Sequence, residues 1–263
     1  MEYRNYEKVN KMVRETYKKA RINQTLEFNK KIREEYENRN KILITIVEAI
    51  DIMNQFIDKS DPDIELPNVQ HLFQSAETAR HDEQPEWFQL TCLIHDLGKI
   101  MYLFGNDETG TSMDEQWAIV GDTFVVGCKI PDTIVFSEFN NLNSDHNQYD
   151  KFGIYDRNCG LENCMVSWGH DEFLYRTLMK NEHTLPPEAL YIIRYHSLYL
   201  WHDKNEYMHL QNEDDIKMKY WVRLFNNYDL YSKENIEVEI NKLKTYYFNL
   251  FLNFFNNDDK IYI

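Results

Sequence analysis

The residues of this sequence best suited to chemistry are four histidines and two aspartates that occur in or beside apolar stretches. They are His71, His95, Asp96, His170, His196 and Asp229. Burying an imidazole or a carboxylate among apolar side chains is costly unless the group is hydrogen-bonded or binds a metal. Any one of the six could be a helix cap or a core histidine with a satisfied hydrogen bond. Six in similar surroundings favour a metal site.

The number of these candidate ligands favours two metal ions over one. A single ion held by six protein ligands keeps no open position for chemistry, whereas two ions that share bridging carboxylates keep positions for water, substrate or oxygen. Imidazole and carboxylate ligands suit iron, manganese and zinc alike. The residues therefore predict a dinuclear centre and leave the metal open.

Two predicted helices carry the first three of these residues. One begins after Asn68, a suitable N-cap, which places His71 in the first helical turn. The other begins at Pro85, a residue favoured at the first helical position, and continues through His95 and Asp96 to about residue 105. Both helices are mostly apolar, so both are predicted to be buried.

Helical patterns also dominate the rest of the chain. The predicted helical or part-helical stretches are 7–37, 41–57, 112–127, 163–181, 185–197, 214–231 and 236–255. The Asn- and Asp-rich stretch 138–150 is predicted to be an exposed loop. Because no repeat, linker or sustained β-alternation is found, we expect one all-α domain over residues 1–263, with residues 1–40 as an N-terminal helical or lid segment.

Charge and cysteine content exclude several classes of partner. The formal net charge of −15 disfavours nucleic acids and anionic membranes, because both require a positively charged surface. No apolar run approaches the roughly 20 residues of a spanning helix. Four cysteines are few for a secreted chain, which predicts a reducing, cytoplasmic location. Cys159 and Cys164 lack a second Cys/His pair at zinc-finger spacing, so we expect them to be structural or inert.

Six longer strings connect this pattern to a known family. They are DKSDPDIELPN, HDLGK, WAIVGDTFVVGC, SWGHDEFLY, LPPEALYIIRYHS and NNYDLYSK. The order of the histidines and aspartates resembles the HD-domain superfamily, and the six strings resemble the myo-inositol oxygenase family over nearly the whole chain. The resemblance implies a helical bundle of the HD-domain type. It also implies the ring-opening oxidation of myo-inositol by O2 to D-glucuronate and water.

The resemblance further implies a pair of iron ions in the Fe(II)/Fe(III) state. The implied ligands are His71, His95, Asp96 and Asp229 around one ion, and His170, His196 and Asp96 around the other, with Asp96 as the central bridge. The implied substrate contacts are Arg4, Asp58, Ser60, Lys99, Gly121, Asp122, His196, Ser197 and Lys233. Tyr17 corresponds to a lid residue.

Lys99 is the predicted catalytic side chain, because it follows His95 by four residues and shares its helical face. The net positive charge of a metal pair is expected to lower the pKa of Lys99. A neutral amine could then accept the proton of a substrate hydroxyl.

Two features depart from the family pattern. Lys59 stands where the family usually has Glu, and segment 105–116 is longer than the matching loop. The Lys59 difference affects one polar contact and leaves the predicted chemistry intact. The spacing around Tyr17 also differs from that of the family.

Two other functions fit parts of the sequence. An HD-type phosphohydrolase would use two metals to activate water, but it requires basic phosphate anchors, and the motifs contain few beyond Lys99 and Lys233. A non-catalytic helical module would need its metals only for stability. We expect a monomeric enzyme whose partners are myo-inositol and O2.

Overall fold

A computed structural model describes residues 6, 7, 9–61, 68–231, 238–256 and 259–263. The α-helices are α1 (Lys11–Asn23), α2 (Leu26–Asn38), α3 (Ile46–Met53), α4 (Asn68–His81), α5 (Glu86–Ile94), α6 (His170–Leu178), α7 (Pro187–Tyr195), α8 (Tyr199–His202), α9 (Glu213–Tyr231) and α10 (Ile240–Phe254). Short 3-10 helices span Leu97–Phe104, Ser137–Leu142 and Leu161–Asn163, and the strands are β1 (Leu43–Thr45) and β2 (Lys260–Tyr262). The all-α prediction is confirmed, whereas the single-domain extent stays a prediction.

The prediction of one helix over 7–37 is wrong, because the chain breaks between α1 and α2. Thr25 has extended backbone angles, and its side chain accepts a hydrogen bond from the backbone N–H of Phe28. Threonine is a favoured N-cap for this reason. At the same break, the side chain of Gln24 donates to the carbonyl of Trp168 over 2.7 Å. The interruption therefore ties the N-terminal helices to the chain beside α6.

The predicted helix over 41–57 begins later than expected. Residues Leu43–Thr45 form β1, which pairs antiparallel with β2, so that Ile44 lies opposite Ile261. Thr45 then starts α3 with a capping box, in which its side chain and that of Glu48 accept each other's backbone N–H groups. Pairing with a distant segment explains why local periodicity overestimated the length of this helix.

The helix predicted from Pro85 to about residue 105 is interrupted at the HD dipeptide. Helix α5 ends at Ile94, and the chain continues from Leu97 as a 3-10 helix. The backbone N–H of Lys99 consequently bonds the carbonyl of Asp96, three residues earlier, over 2.9 Å. The change of helix type places Lys99 beside Asp96.

Two further predictions are corrected by the structure. Stretch 112–127 contains turns and an isolated bridge in place of a helix. Stretch 138–150 is an ordered connection rather than an exposed loop, since Phe139, Asn140 and Asn143 are buried. The Asn143 side chain donates to the carbonyl of Arg21 over 2.8 Å. Buried backbone groups need such partners, and the asparagines supply them.

Helix packing brings distant parts of the chain to one centre. Helix α4 packs against α5 and α9, while α6 packs against α7 and the 3-10 helix Leu97–Phe104. Among the described helices, none combines the length and the apolar character that a membrane crossing needs.

Gly98 allows a close approach between the 3-10 helix Leu97–Phe104 and α6. A Cβ atom at this position would lie 1.9 Å from the backbone carbonyl oxygen of His170, the first residue of α6. Backbone atoms of a packed helix cannot move away cheaply. The glycine of HDLGK therefore sets the separation between the 3-10 helix and α6.

We expect Gly98→Ala to lower the free energy of unfolding by about 2 kcal/mol or more, because overpacking forces backbone shifts. Denaturant unfolding followed by circular dichroism measures the effect. An alanine variant that unfolds at the wild-type denaturant concentration would contradict the close contact.

Candidate metal centre

Three of the predicted ligands, His71, His95 and Asp229, lie close together, although they come from α4, the end of α5 and α9. The Nε2 atom of His71 lies 2.9 Å from Oδ1 of Asp229. The Nε2 atom of His95 lies 3.5 Å from the same oxygen and 3.6 Å from Oδ2 of Asp96. All four side chains are buried. His71, His95 and Asp229 offer one ligand atom each within 4.8 Å of one another, so they could hold a metal ion.

The remaining ligands come from α6 and the end of α7. The Nε2 atom of His170 lies 3.0 Å from Oδ1 of Asp96 and 3.0 Å from Nε2 of His196. The Nε2 atom of His196 lies 3.9 Å from the same Asp96 oxygen. The two oxygens of Asp96 thus face different histidines, Oδ2 towards His95 and Oδ1 towards His170 and His196. The structure brings all six predicted ligands together.

Helix ends orient two of the imidazole rings. His95 and His196 directly follow the last residues of α5 and α7. Their Nδ1 atoms lie 2.8 Å from the carbonyl of Cys92 and 3.0 Å from that of Ile193. Carbonyls in the last turn of a helix lack helical partners and therefore accept other donors. A proton on Nδ1 leaves the Nε2 lone pair directed at the centre.

His170 reaches the same arrangement from the opposite end of a helix. It begins α6, and both its backbone N–H and its Nδ1 lie within hydrogen-bond distance of the Ile119 carbonyl, at 2.9 and 2.6 Å. One loop carbonyl therefore fixes the position and the orientation of this ring.

The donor set fits a metal ion. The Nε2 atom of His95 is buried and has no hydrogen-bond partner among the described residues. Neighbouring ligands on an ion with bonds of about 2.0–2.2 Å are separated by roughly 3 Å, and the contacts given above have similar lengths. An ion would satisfy the buried nitrogen and offset the negative charge of the two carboxylates.

Electrostatics favour the metal-binding protonation states of Asp96 and His196, whereas burial would lower the pKa of His170 but its hydrogen bond to Asp96 raises it. Burial alone would raise the pKa of Asp96, but Lys99, His95 and His170 hold it well below its usual range. Burial, together with His170 and His95, holds the pKa of His196 well below the ordinary value. Asp96 is therefore a carboxylate, and His196 is a neutral imidazole with a lone pair available for a metal.

Lys99 lies at the edge of this cluster, where the 3-10 helix rather than a continued α-helix places it. Its Nζ donates to Asp58 over 2.7 Å, to Asn68 over 2.8 Å and to Asp96 over 2.8 Å. Burial would lower the pKa of Lys99, but the carboxylates of Asp58 and Asp96 raise it above the ordinary value. The lowering of this pKa by a bound metal pair stays a prediction.

Asn68 has a role that the sequence analysis missed. It was predicted as an N-cap, yet it is the first residue of α4, and its Nδ2 donates to Oδ2 of Asp96 over 2.9 Å. Its carbonyl accepts from Lys99, so one amide orients both side chains. The spacing of three residues to His71, which places the two on neighbouring positions of a helix, is the signal that could have indicated it.

A polar pocket adjoins the ligands and contains most of the predicted substrate contacts. Its described lining residues are Tyr6, Tyr17, Asp58, Ser60, Asp61, Asn68, His71, Asp96, Lys99, Gly121, Asp122, His170, His196, Ser197, Tyr199 and Asp229. Arg4 and Lys233 lie outside the described residues. The hydroxyl of Tyr17 donates to Oδ1 of Asp122 over 3.0 Å, so α1 covers one side of the pocket.

Gln116, which was not predicted as a functional residue, holds the turn that contains Asp58. Its side-chain oxygen accepts from the backbone N–H of Lys59 over 3.0 Å, and its amide donates to the carbonyl of Ile57 over 3.1 Å. Lys59 in turn donates to the carbonyl of Asp114 over 2.8 Å. The two departures from the family pattern, Lys59 and segment 105–116, are therefore in contact.

We expect Asp96→Ala to bind fewer transition-metal ions per chain than His196→Ala, because the Asp96 carboxylate faces histidines of both groups. His146→Ala is the matched control, because His146 is also a buried histidine but belongs to stretch 138–150, which contains none of the six predicted ligands. Metal analysis after anaerobic loading with Fe(II) provides the measurement, and circular dichroism checks the fold. Equal metal content in Asp96→Ala and the control would show that Asp96 is not a metal ligand.

Comparisons with known proteins agree with this site. A family model described as myo-inositol oxygenase matches residues 10–261. The chain is 43% identical to inositol oxygenase 1 of Arabidopsis thaliana, over 90% of this chain and 76% of that protein. It is 42% identical to an inositol oxygenase of Dictyostelium discoideum, over 98% and 89% of the two chains. It is 41% identical to that of Bos taurus, over 88% and 80%. The chain therefore belongs to the myo-inositol oxygenase family.

Proposed function

We propose that the protein catalyses the ring-opening oxidation of myo-inositol by O2, with D-glucuronate and water as products. The observation that carries this proposal is the convergence of four imidazoles and two carboxylates at the base of a polar pocket. Atoms balance, since one inositol and one O2 yield one glucuronate and one water.

Two iron ions would occupy the centre. The proposed ligands are His71, His95, Asp96 and Asp229 for one ion and His170, His196 and Asp96 for the other. The bound metals would supply the four-electron redox chemistry with O2. This assignment is supported by the buried Nε2 atom of His95, which has no hydrogen-bond partner among the described residues. It is also supported by the two carboxylate oxygens of Asp96, which face different histidines.

The chemistry of the pocket favours a neutral polyol over a phosphate ester. Five aspartates line it, and among the described lining residues Lys99 is the one Lys or Arg side chain. That cation is already engaged by Asp58 and Asp96. Outside the metal centre, the described lining residues therefore offer a polyanion no free cation, whereas carboxylates accept hydrogen bonds from hydroxyl groups.

The proposed substrate contacts position hydroxyls beside the metals. Asp58 is held by its own turn, since its Oδ1 accepts from the backbone N–H of Ser60 over 2.8 Å and from the Ser60 hydroxyl over 2.6 Å. Asp122 is held by Tyr17. Side chains fixed in this way lose little freedom when they bind a ligand. Asp58, Ser60, Gly121, Asp122 and Ser197 would select the substrate, as would Arg4 and Lys233. A cytoplasmic, monomeric state stays a prediction.

We expect the protein with iron bound to consume O2 only when myo-inositol is present, and to form one D-glucuronate per O2. An oxygen electrode combined with chromatography of the product provides the measurement. A polyol that lacks one ring hydroxyl should react at least about tenfold more slowly, because a side chain placed to bind that hydroxyl then lacks a hydrogen-bond partner. Phosphate release from generic esters without O2 uptake would refute the proposal.

We expect Lys99→Met to retain iron while it loses affinity for myo-inositol, because Asp58 loses the cation that orients it. Lys99→Arg should not restore activity, since a planar guanidinium cannot replace a compact ammonium among three acceptors. Anaerobic spectroscopic titration with myo-inositol, together with metal analysis, measures both effects. Wild-type affinity in Lys99→Met would assign Lys99 a packing role.

A further inference from the structure

Cys159 and Cys164 form a pair of thiols that the metal centre does not use. Both cysteines are free, and their Sγ atoms lie 3.6 Å apart. The pair was expected to be structural or inert, because no second Cys/His pair at zinc-finger spacing accompanies it. That argument concerns metal binding, and neither cysteine belongs to a group of potential metal ligands among the described residues. It leaves a reaction between the two thiols open.

The backbone between the two cysteines brings their side chains together. Gly160 has a φ of +88°, in the region that favours glycine, so the chain turns directly after Cys159. The 3-10 helix Leu161–Asn163 follows, and the Asn163 side chain donates to the carbonyl of Cys159 over 2.8 Å. The backbone N–H of Gly160 donates to the carbonyl of Leu210, also over 2.8 Å. The short distance between the sulfurs is therefore a property of an anchored turn.

The two cysteines differ in exposure, which gives them different roles in a reaction. Cys159 is partly exposed, whereas Cys164 is only 3% exposed. Burial raises the pKa of the Cys164 thiol, and the neighbouring Cys159 raises it further. The thiolate is the nucleophilic form of cysteine. An external reagent therefore meets Cys159 first, and Cys164 reacts second, with the sulfur of Cys159.

We propose that Cys159 and Cys164 are a redox modification site, which forms a reversible disulfide when a small organic disulfide acts as the oxidant. The Cys159 sulfur attacks the reagent, so that a mixed disulfide forms and one small thiol leaves. The Cys164 sulfur then attacks the Cys159 sulfur and releases the second small thiol. Two protein thiols are oxidised, one external disulfide is reduced to two thiols, and these carry away the two cysteine protons.

The second step needs only a small movement of the side chains. Disulfide sulfurs lie about 2.0 Å apart, so the two Sγ atoms must approach each other by roughly 1.6 Å, a shift within the range of rotation about the Cα–Cβ bonds. Adjacent reacting groups also have a high effective concentration, which offsets the small thiolate fraction of Cys164. The other two cysteines, Cys92 and Cys128, are buried and should stay reduced. The proposal does not depend on the reaction at the metal centre.

Anaerobic treatment of the protein with iron bound, using hydroxyethyl disulfide as the oxidant, tests the proposal. The reaction is stopped with acid, the remaining thiols are alkylated in denaturant, and tryptic peptides are weighed by mass spectrometry. Cleavage after Arg157 and Arg176 releases one peptide that contains both cysteines. We expect this peptide to be two hydrogens lighter and to be alkylated only after reduction. A peptide that keeps the hydroxyethyl group, or one with both cysteines alkylated, would overturn the proposal.

Variants separate the two steps. Cys164→Ala should keep the mixed disulfide on Cys159, because no second thiol displaces it. Cys159→Ala should react at least about tenfold more slowly than the wild type, because the remaining Cys164 is buried. Cys128→Ala is the matched control, since it removes a buried thiol outside the pair and should form the wild-type disulfide. Oxidation of Cys159→Ala at the wild-type rate would refute the assigned order of attack. Circular dichroism checks the fold, and if Cys164→Ala fails to fold, the wild-type peptide still decides.

Discussion

The carboxylate of Asp96 is the charge that the rest of the structure must stabilise. It is buried, and a buried carboxylate needs both hydrogen bonds and opposite charge. Lys99 and Asn68 supply these on one side, while His170 and His95 approach on the other. Each of these partners comes from a helix end or a tight helix, where the chain changes direction. The packing of α4, α5 and α6 follows from the need to assemble these partners.

The helices that cross the core were predictable, and the breaks within the longer predicted helices were not. Apolar spacing indicated α4, α7 and α9 because those helices bury one face along most of their length. The break between α1 and α2 depends on Gln24, whose partner Trp168 is distant in sequence. Strand β1 likewise depends on its pairing with β2. Local propensity cannot report contacts made by residues more than a hundred positions away.

In the candidate site, too, residues that stand out in the local sequence were predictable, and those whose role depends on distant residues were not. Histidines and aspartates in apolar helices stand out in a sequence, so all six proposed ligands were identified before the structure. Asn68 and Gln116 carry no charge and resemble an ordinary helix cap and an ordinary loop residue. Asn68 nevertheless orients charged side chains, and Gln116 holds the backbone on either side of a charged residue. The sequence also does not show that Asp58 reaches Lys99 from a separate turn. Neutral amides that support charged groups require coordinates to be recognised.

The proposed ligands are spread from His71 on α4 to Asp229 on α9, two residues whose side chains meet 2.9 Å apart in the folded protein. An ion held between them would join two distant parts of the chain in the folded protein. Ions that bind only the folded state also raise the folded population by mass action. With the proposed irons as these ions, the supply of iron would change the fraction of folded protein, in addition to how fast each copy works.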